Sequence, residues 1–142
     1  MKEMIKRVRE EKGGFTLAEL LIVVAIILVL VAVAVPVFSG AMDSANASTD
    51  EANIRSGYAQ AQVFTMTKED DAGTKIANNA KYYLTTDAEL STDATKAYET
   101  KGTSAKVTDK PSYLPEWTAS KKIVYTFTVS DKGDITVAVA AE

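Results

Sequence analysis

Hydrophobic and polar positions divide this chain into stretches with different periods. From Leu20 to Phe38 every residue is apolar, LLIVVAIILVLVAVAVPVF, and the uncharged run continues to Met42. A helix that is apolar on every face suits lipid or a buried core rather than a water interface. At about 1.5 Å per residue this run spans roughly 28 Å, close to the hydrocarbon core of about 30 Å. It is too long for a secretory h-region, and no small-residue cleavage site follows it.

Beyond the run, Ala41 to about Phe64 is rich in alanine and free of proline, with Gly40 and Gly57 as weak points. Ile54, Tyr58 and Ala61 recur at helical spacing and make a narrow apolar stripe. Asp50, Glu51 and Arg55 fall mainly outside it. The pattern predicts one helix from Phe15 to near Thr65, roughly 75 Å long. Lys68-Glu69-Asp70-Asp71-Ala72-Gly73 reads as its stop, with charge and a closing glycine.

The C-terminus changes to a period of two. Ile123, Tyr125, Phe127 and Val129 alternate onto one face, as do Ile135, Val137 and Val139. Ser130-Asp131-Lys132-Gly133-Asp134 between them has turn chemistry. This predicts an antiparallel hairpin whose apolar face covers the helix stripe, with Tyr113, Leu114 and Trp117 leading into it or adding a strand. From Thr74 to about Pro115 the pattern is poor. It shows a short apolar patch at Tyr82-Tyr83-Leu84, a short helix is expected from Ala88 to Tyr98, and the remainder reads as exposed connection. The predicted class is α+β: a long N-terminal helix, membrane-spanning then amphipathic, packed on a small C-terminal antiparallel sheet. The segments are 1–14, a leader; 15–40, a transmembrane helix; 41–65, its amphipathic half; 66–115, a variable connection; and 116–142, the hairpin region.

Composition then removes whole classes of chemistry. The 142 residues include no cysteine and no histidine. Disulfides, CxxC redox pairs, Cys/His zinc sites and nucleophile–histidine dyads are therefore excluded. No carboxylate, lysine or serine constellation stands out in their place, so an enzyme is not expected, and neither is a cofactor. The net charge of −3 hides an asymmetry. Lys2, Lys6, Arg7, Arg9 and Lys12 precede the apolar run, which sets the N-terminus in the cytoplasm by the positive-inside tendency. The acidic remainder argues against direct nucleic-acid binding. Asp131, Gly133 and Asp134 are oxygen donors near a glycine, but the short DKGD stretch reads as a hairpin turn, and no metal is assigned. Asn46-Ala47-Ser48 matches a glycosylation sequon on a predicted helix and reads as chance.

One acid sits where charge is costly. In GGFTLAELL, Glu19 directly precedes the apolar run. A carboxylate there is a functional-site hypothesis with an expected partner, and its place in the first turn of the helix gains from the positive end of the dipole. Gly13 and Gly14 interrupt any helix begun in the leader and leave the backbone accessible. Pro36, lacking an N–H, clashes with the carbonyl of Ala32 and bends or breaks the helix.

The run GGFTLAELLIVVAIILVLVAVAVPVF resembles, from Gly14 to about Phe38, the N-terminal signature of type IV pilins and pseudopilins. The resemblance implies cleavage after Gly14 by a prepilin peptidase on the cytoplasmic side and N-methylation of the new amine at Phe15. It implies a bend at Pro36. It also implies assembly into a helical filament through the apolar helix, Glu19 pairing with the N-terminal amine of a neighbouring subunit. Its partners would be other copies and other pilins, the prepilin peptidase, a membrane platform protein and a cytoplasmic assembly ATPase. The protein would be a single-pass membrane protein first and a cell-surface filament afterwards, either a type IV pilus (fimbrium) or a competence or type II secretion pseudopilus. The competing reading is a membrane-anchored binding domain with an uncleaved anchor.

Overall fold

The computed structural model describes residues 16–142. The leader 1–14 and Phe15, and with them the Gly14–Phe15 cleavage and methylation site, lie outside the described residues. Helix α1 runs Leu17–Thr67, with Pro36 inside it and no interruption of the helical assignment. Strands β1 (Ala80–Leu84), β2 (Leu90–Ser91), β3 (Ile123–Val129) and β4 (Ile135–Ala141) follow. They form one antiparallel sheet in the order β2-β1-β3-β4. The arrangement is α+β, as the patterning predicts.

The chain divides into two compact units at Gly40. In the first, every described residue of α1 is exposed. Leu17, Leu28, Val29, Val33, Val37 and Phe38 each keep more than three-fifths of their surface bare. So much contiguous apolar surface calls for lipid or other protein to cover it. By length and composition this is the one helix among the described residues able to cross a membrane.

The second unit, Ala41–Glu142, carries its own core. α1 contributes Ala47, Asp50, Ile54, Gly57, Ala61 and Phe64, spaced alternately three and four apart, as one face of a helix requires. The sheet answers with Tyr82 and Leu84 from β1 and Ile123, Tyr125 and Phe127 from β3. Phe64, Tyr82 and Phe127 meet edge to face or tilted, with centroids 5.3 to 6.1 Å apart, the geometry ring quadrupoles favour. Gly57, expected to weaken the helix, leaves a gap instead: a Cβ there would lie 2.4 Å from the Tyr125 hydroxyl. Through that gap Tyr125 donates to the Ile54 carbonyl at 2.6 Å.

α1 stops where its sequence predicts. Lys68 takes the left-handed conformation (φ 63°), and its N–H donates to the Phe64 carbonyl at 2.8 Å, closing the last turn. The Asp70 carboxylate then accepts from the N–H groups of Ala72 and Thr74. The hairpin β3–β4 pairs without a break from Ile123↔Ala141 to Val129↔Ile135. Its DKGD stretch is the turn: Gly133 donates to the Ser130 carbonyl, and Ser130 to that of Asp134.

The middle of the chain departs from expectation. Ala88 to Tyr98 is not a helix. Leu90–Ser91 pairs with β1, Ala94–Lys96 is a single 3₁₀ turn capped by Asp93, and Tyr98 N–H donates to the Leu84 carbonyl at 2.6 Å. Sheet pairing and the Gln60 side chain, which accepts from Leu90 N–H, capture this backbone against its weak local preference. The rest of the connection is largely exposed, as expected, but Ile76 and Tyr98 join Tyr82 and Leu84 of the apolar patch in the core. Tyr113, Leu114 and Trp117 add no strand; Leu114 and Trp117 are buried in the core as irregular chain, while Tyr113 stacks on Tyr58 at 4.1 Å between centroids.

Candidate functional site

The first site is the start of α1. Thr16 is its N-cap residue, and the Glu19 N–H donates to Thr16 Oγ1 at 3.2 Å. In return the Thr16 N–H donates to Glu19 Oε2 at 2.9 Å. This reciprocal pair is a capping box, T-x-x-E, which satisfies two otherwise orphaned donors at a helix end. The signal stands in the sequence as Thr16-Leu17-Ala18-Glu19, the spacing a capping box needs. One carboxylate oxygen holds the cap. An ionised carboxylate can accept further hydrogen bonds, and this one is exposed. Glu19 is thus oriented by its own backbone and remains open to a cation. It lies four positions after Phe15 in the chain, with three residues between them.

Pro36 lies well inside α1, and the residues around it are exposed on all sides. Gly14, Phe15, Glu19 and Pro36 therefore stand along one N-terminal segment, Glu19 and Pro36 on described helix.

The second site was missed. Asp50, expected outside the apolar stripe, is completely buried within it, at i−4 from Ile54 and i+3 from Ala47. Its carboxylate accepts from Tyr98 Oη at 2.6 Å, Gly102 N at 2.7 Å, Lys101 N at 3.0 Å and Trp117 Nε1 at 3.2 Å. No buried side-chain polar atom among the described residues lacks a partner. The loop can approach this closely because residue 102 is glycine: a Cβ there would lie 2.5 Å from the Ala47 nitrogen. One buried acid thus ties α1 to the 98–102 loop and to the only tryptophan of the chain. The same burial, together with the bond to Asp50, pushes the Tyr98 phenol up to about 12. Spacing alone could have found Asp50, because an acid four residues before Ile54 shares its face. What it faces comes from distant parts of the chain.

Asp50 is a structural anchor: it is completely buried and its carboxylate is taken up by donors of the chain itself. Among the described residues no group of three or more acids could hold a metal ion.

The family model described as the prokaryotic N-terminal methylation motif matches residues 11–35. Over 45 residues the chain is 47% identical to "Prepilin peptidase-dependent protein A" of Clostridium perfringens (strain 13 / Type A), a match covering 32% of each chain. The chain thus spans about a third of the length of the curated relative it matches. No solved structure matches. Both matches agree with the N-terminal resemblance to type IV pilin-like proteins.

Proposed function

We propose that this chain is a structural subunit of an extracytoplasmic helical filament, a type IV pilus or a competence or type II secretion pseudopilus. Maturation cuts the chain after Gly14, removes the basic leader and methylates the amine of Phe15. The observation that carries this reading is Glu19, an acid at the head of the apolar, exposed first half of α1, inside a matched methylation motif.

The chemistry follows from the cost of that acid. A carboxylate at a membrane helix centre costs about 2.5 to 3.5 kcal/mol, less near the interface. The capping box and the helix dipole offset part of it while the subunit rests in the membrane. When copies pack helix to helix, water and headgroups leave. The methylated amine of a neighbour then supplies the cation. An unpaired charge in that apolar setting costs several kcal/mol, so subunits that dock out of register are rejected. A bend at Pro36 lets the apolar half follow a curved path between neighbours. The prepilin peptidase, a membrane platform protein and a cytoplasmic ATPase act on the chain from outside it.

Mass spectrometry of the protein from cells with and without the peptidase tests the maturation. The expected product begins at methylated Phe15 only when the peptidase is present; an intact Met1 in both points to a membrane-anchored domain instead. Glu19→Ala is expected to insert into the membrane normally and to reduce filaments on the cell surface by about tenfold or more, in line with an unpaired amine costing at least 1.4 kcal/mol. A normal filament yield would rule out the pairing.

A further inference from the structure

Anchoring a loop does not account for which donors Asp50 gathers. Two of them are side chains that give up an electron readily, one on each carboxylate oxygen. Tyr98 Oη donates to Oδ1 at 2.6 Å and Trp117 Nε1 to Oδ2 at 3.2 Å. The phenol oxygen and the indole nitrogen are thus separated by no more than one carboxylate and its two hydrogen bonds. The remaining donors are the backbone N–H groups of Lys101 and Gly102. Among the described residues no cation pairs with Asp50.

Burial gives this arrangement its electrical weight. Asp50 is fully buried, and Tyr98 and Trp117 are 6% and 3% exposed. A negative charge in such surroundings acts strongly on its neighbours, and it eases removal of an electron from either ring. A phenol that loses an electron becomes a very strong acid, and its proton needs a base within hydrogen-bond reach. Oδ1 of Asp50 is that base. The product is a neutral phenoxyl beside a neutral carboxylic acid, so the core loses a buried charge and gains none. Lys110 adds a direction. Its Nζ lies 5.6 Å from the centroid of the Trp117 ring, where a cation disfavours a positive hole on the indole and favours its passage to Tyr98. Glu116 pairs with the same amine, so this bias is a small one. Trp117 also lines an open surface cleft with Thr103, Thr118 and Lys121, which brings solutes near the indole.

We propose that Trp117, Asp50 and Tyr98 form a one-electron relay that moves an oxidising equivalent from the indole to the phenol. A diffusible radical oxidant takes one electron from Trp117 and is reduced by it. Tyr98 then gives one electron to the indole, and its phenol proton passes to Oδ1 of Asp50. Trp117 ends as it began, Tyr98 holds the radical, Asp50 holds the proton and the oxidant holds the electron. A one-electron reductant in solution restores Tyr98, and the proton returns from Asp50. The chain has one tryptophan and no cysteine to intercept oxidant. An indole radical left in place goes on to irreversible products, so the relay spares the ring that helps to hold the 98–102 loop to α1.

Because Trp117 is the only tryptophan, the relay can be started at one ring. Azide radicals from pulse radiolysis oxidise indoles in preference to phenols. In full-length protein held in detergent, the indole-radical absorption is expected to decay as the phenoxyl absorption rises. The rate is expected to be independent of protein concentration and slower in heavy water than in light water. Tyr98→Phe is expected to slow the decay about tenfold or more, whereas Tyr82→Phe, which leaves every donor to Asp50 in place, is expected to leave it unchanged. No phenoxyl rise, a rise that Tyr98→Phe does not slow, a rate that scales with protein concentration, or the same rate in both waters would overturn the relay. All but the second of these are read on the unsubstituted chain and hold whether or not Tyr98→Phe folds.

Discussion

At the scale of the residue, two acids on α1 do opposite work with similar means. Glu19 is exposed and makes one reciprocal cap with Thr16. Asp50 is buried and satisfies four donors from three distant residues and a tryptophan. The two differ in what removal leaves behind. Without Glu19 the helix start loses a cap worth about 1 kcal/mol, and the remaining donors reach water. Without Asp50, the Tyr98 hydroxyl, two loop N–H groups and the Trp117 indole stay buried and unpaired. Asp50→Ala is expected to cost about 3 kcal/mol or more of stability in the second unit. Urea unfolding followed by the fluorescence of Trp117 measures this directly, and a loss under 1 kcal/mol would mean that the loop finds other partners.

At the scale of the element, α1 shows a local rule reversed by packing. Glycine in a helix interior is about 1 kcal/mol worse than alanine, so Gly57→Ala should stabilise an isolated helix by that amount. Here the added methyl meets Tyr125 Oη at 2.4 Å and Leu84 Cδ1 at 2.9 Å. Tyr125 would have to withdraw from the Ile54 carbonyl, leaving a buried hydroxyl unpaired, and overpacking adds about 1–3 kcal/mol. The packing cost exceeds the propensity gain, and Gly57→Ala is expected to be net destabilising by about 2 kcal/mol. Thermal unfolding of the variant beside Gly57→Ala/Tyr125→Phe checks the cause, since removing the hydroxyl should recover much of the loss.

At the scale of the whole molecule, the second unit is held without disulfides by aromatic residues with buried hydroxyls. Burial, and then the bond to Asp70, pushes the Tyr82 phenol up to about 12; Tyr98 stands equally high, and Tyr125 higher still through burial. A raised phenol means that the folded chain holds its proton more tightly than the unfolded one. Stability is therefore intact below the ordinary tyrosine value of 10.0 and falls as pH rises from there toward 12. Absorbance titration is expected to show Tyr82, Tyr98 and Tyr125 ionising late, with their release coinciding with loss of the Trp117 environment. Titration of all six tyrosines as one ordinary class would contradict the buried network.

Much of this protein was legible before any coordinates. A nineteen-residue apolar run, GGFTLAELL at its head, and alternation in Ile123–Val129 and Ile135–Val139 determine the long apolar helix, the motif and the hairpin. Each rests on periodicity or on contacts a few residues apart, which the order of residues carries directly. The tertiary structure decided the rest. It drew Tyr82-Tyr83-Leu84 into the sheet as β1, turned the expected helix at Ala88–Tyr98 into strand and 3₁₀ turn, and moved Asp50 from the solvent side to the core. In each case the deciding partner lies far along the chain: Phe127 for Ala80, Leu84 for Tyr98, Gly102 and Trp117 for Asp50. A buried carboxylate or a two-residue strand has no favourable local state, and only the donors and backbone brought to it by the fold make its position stable.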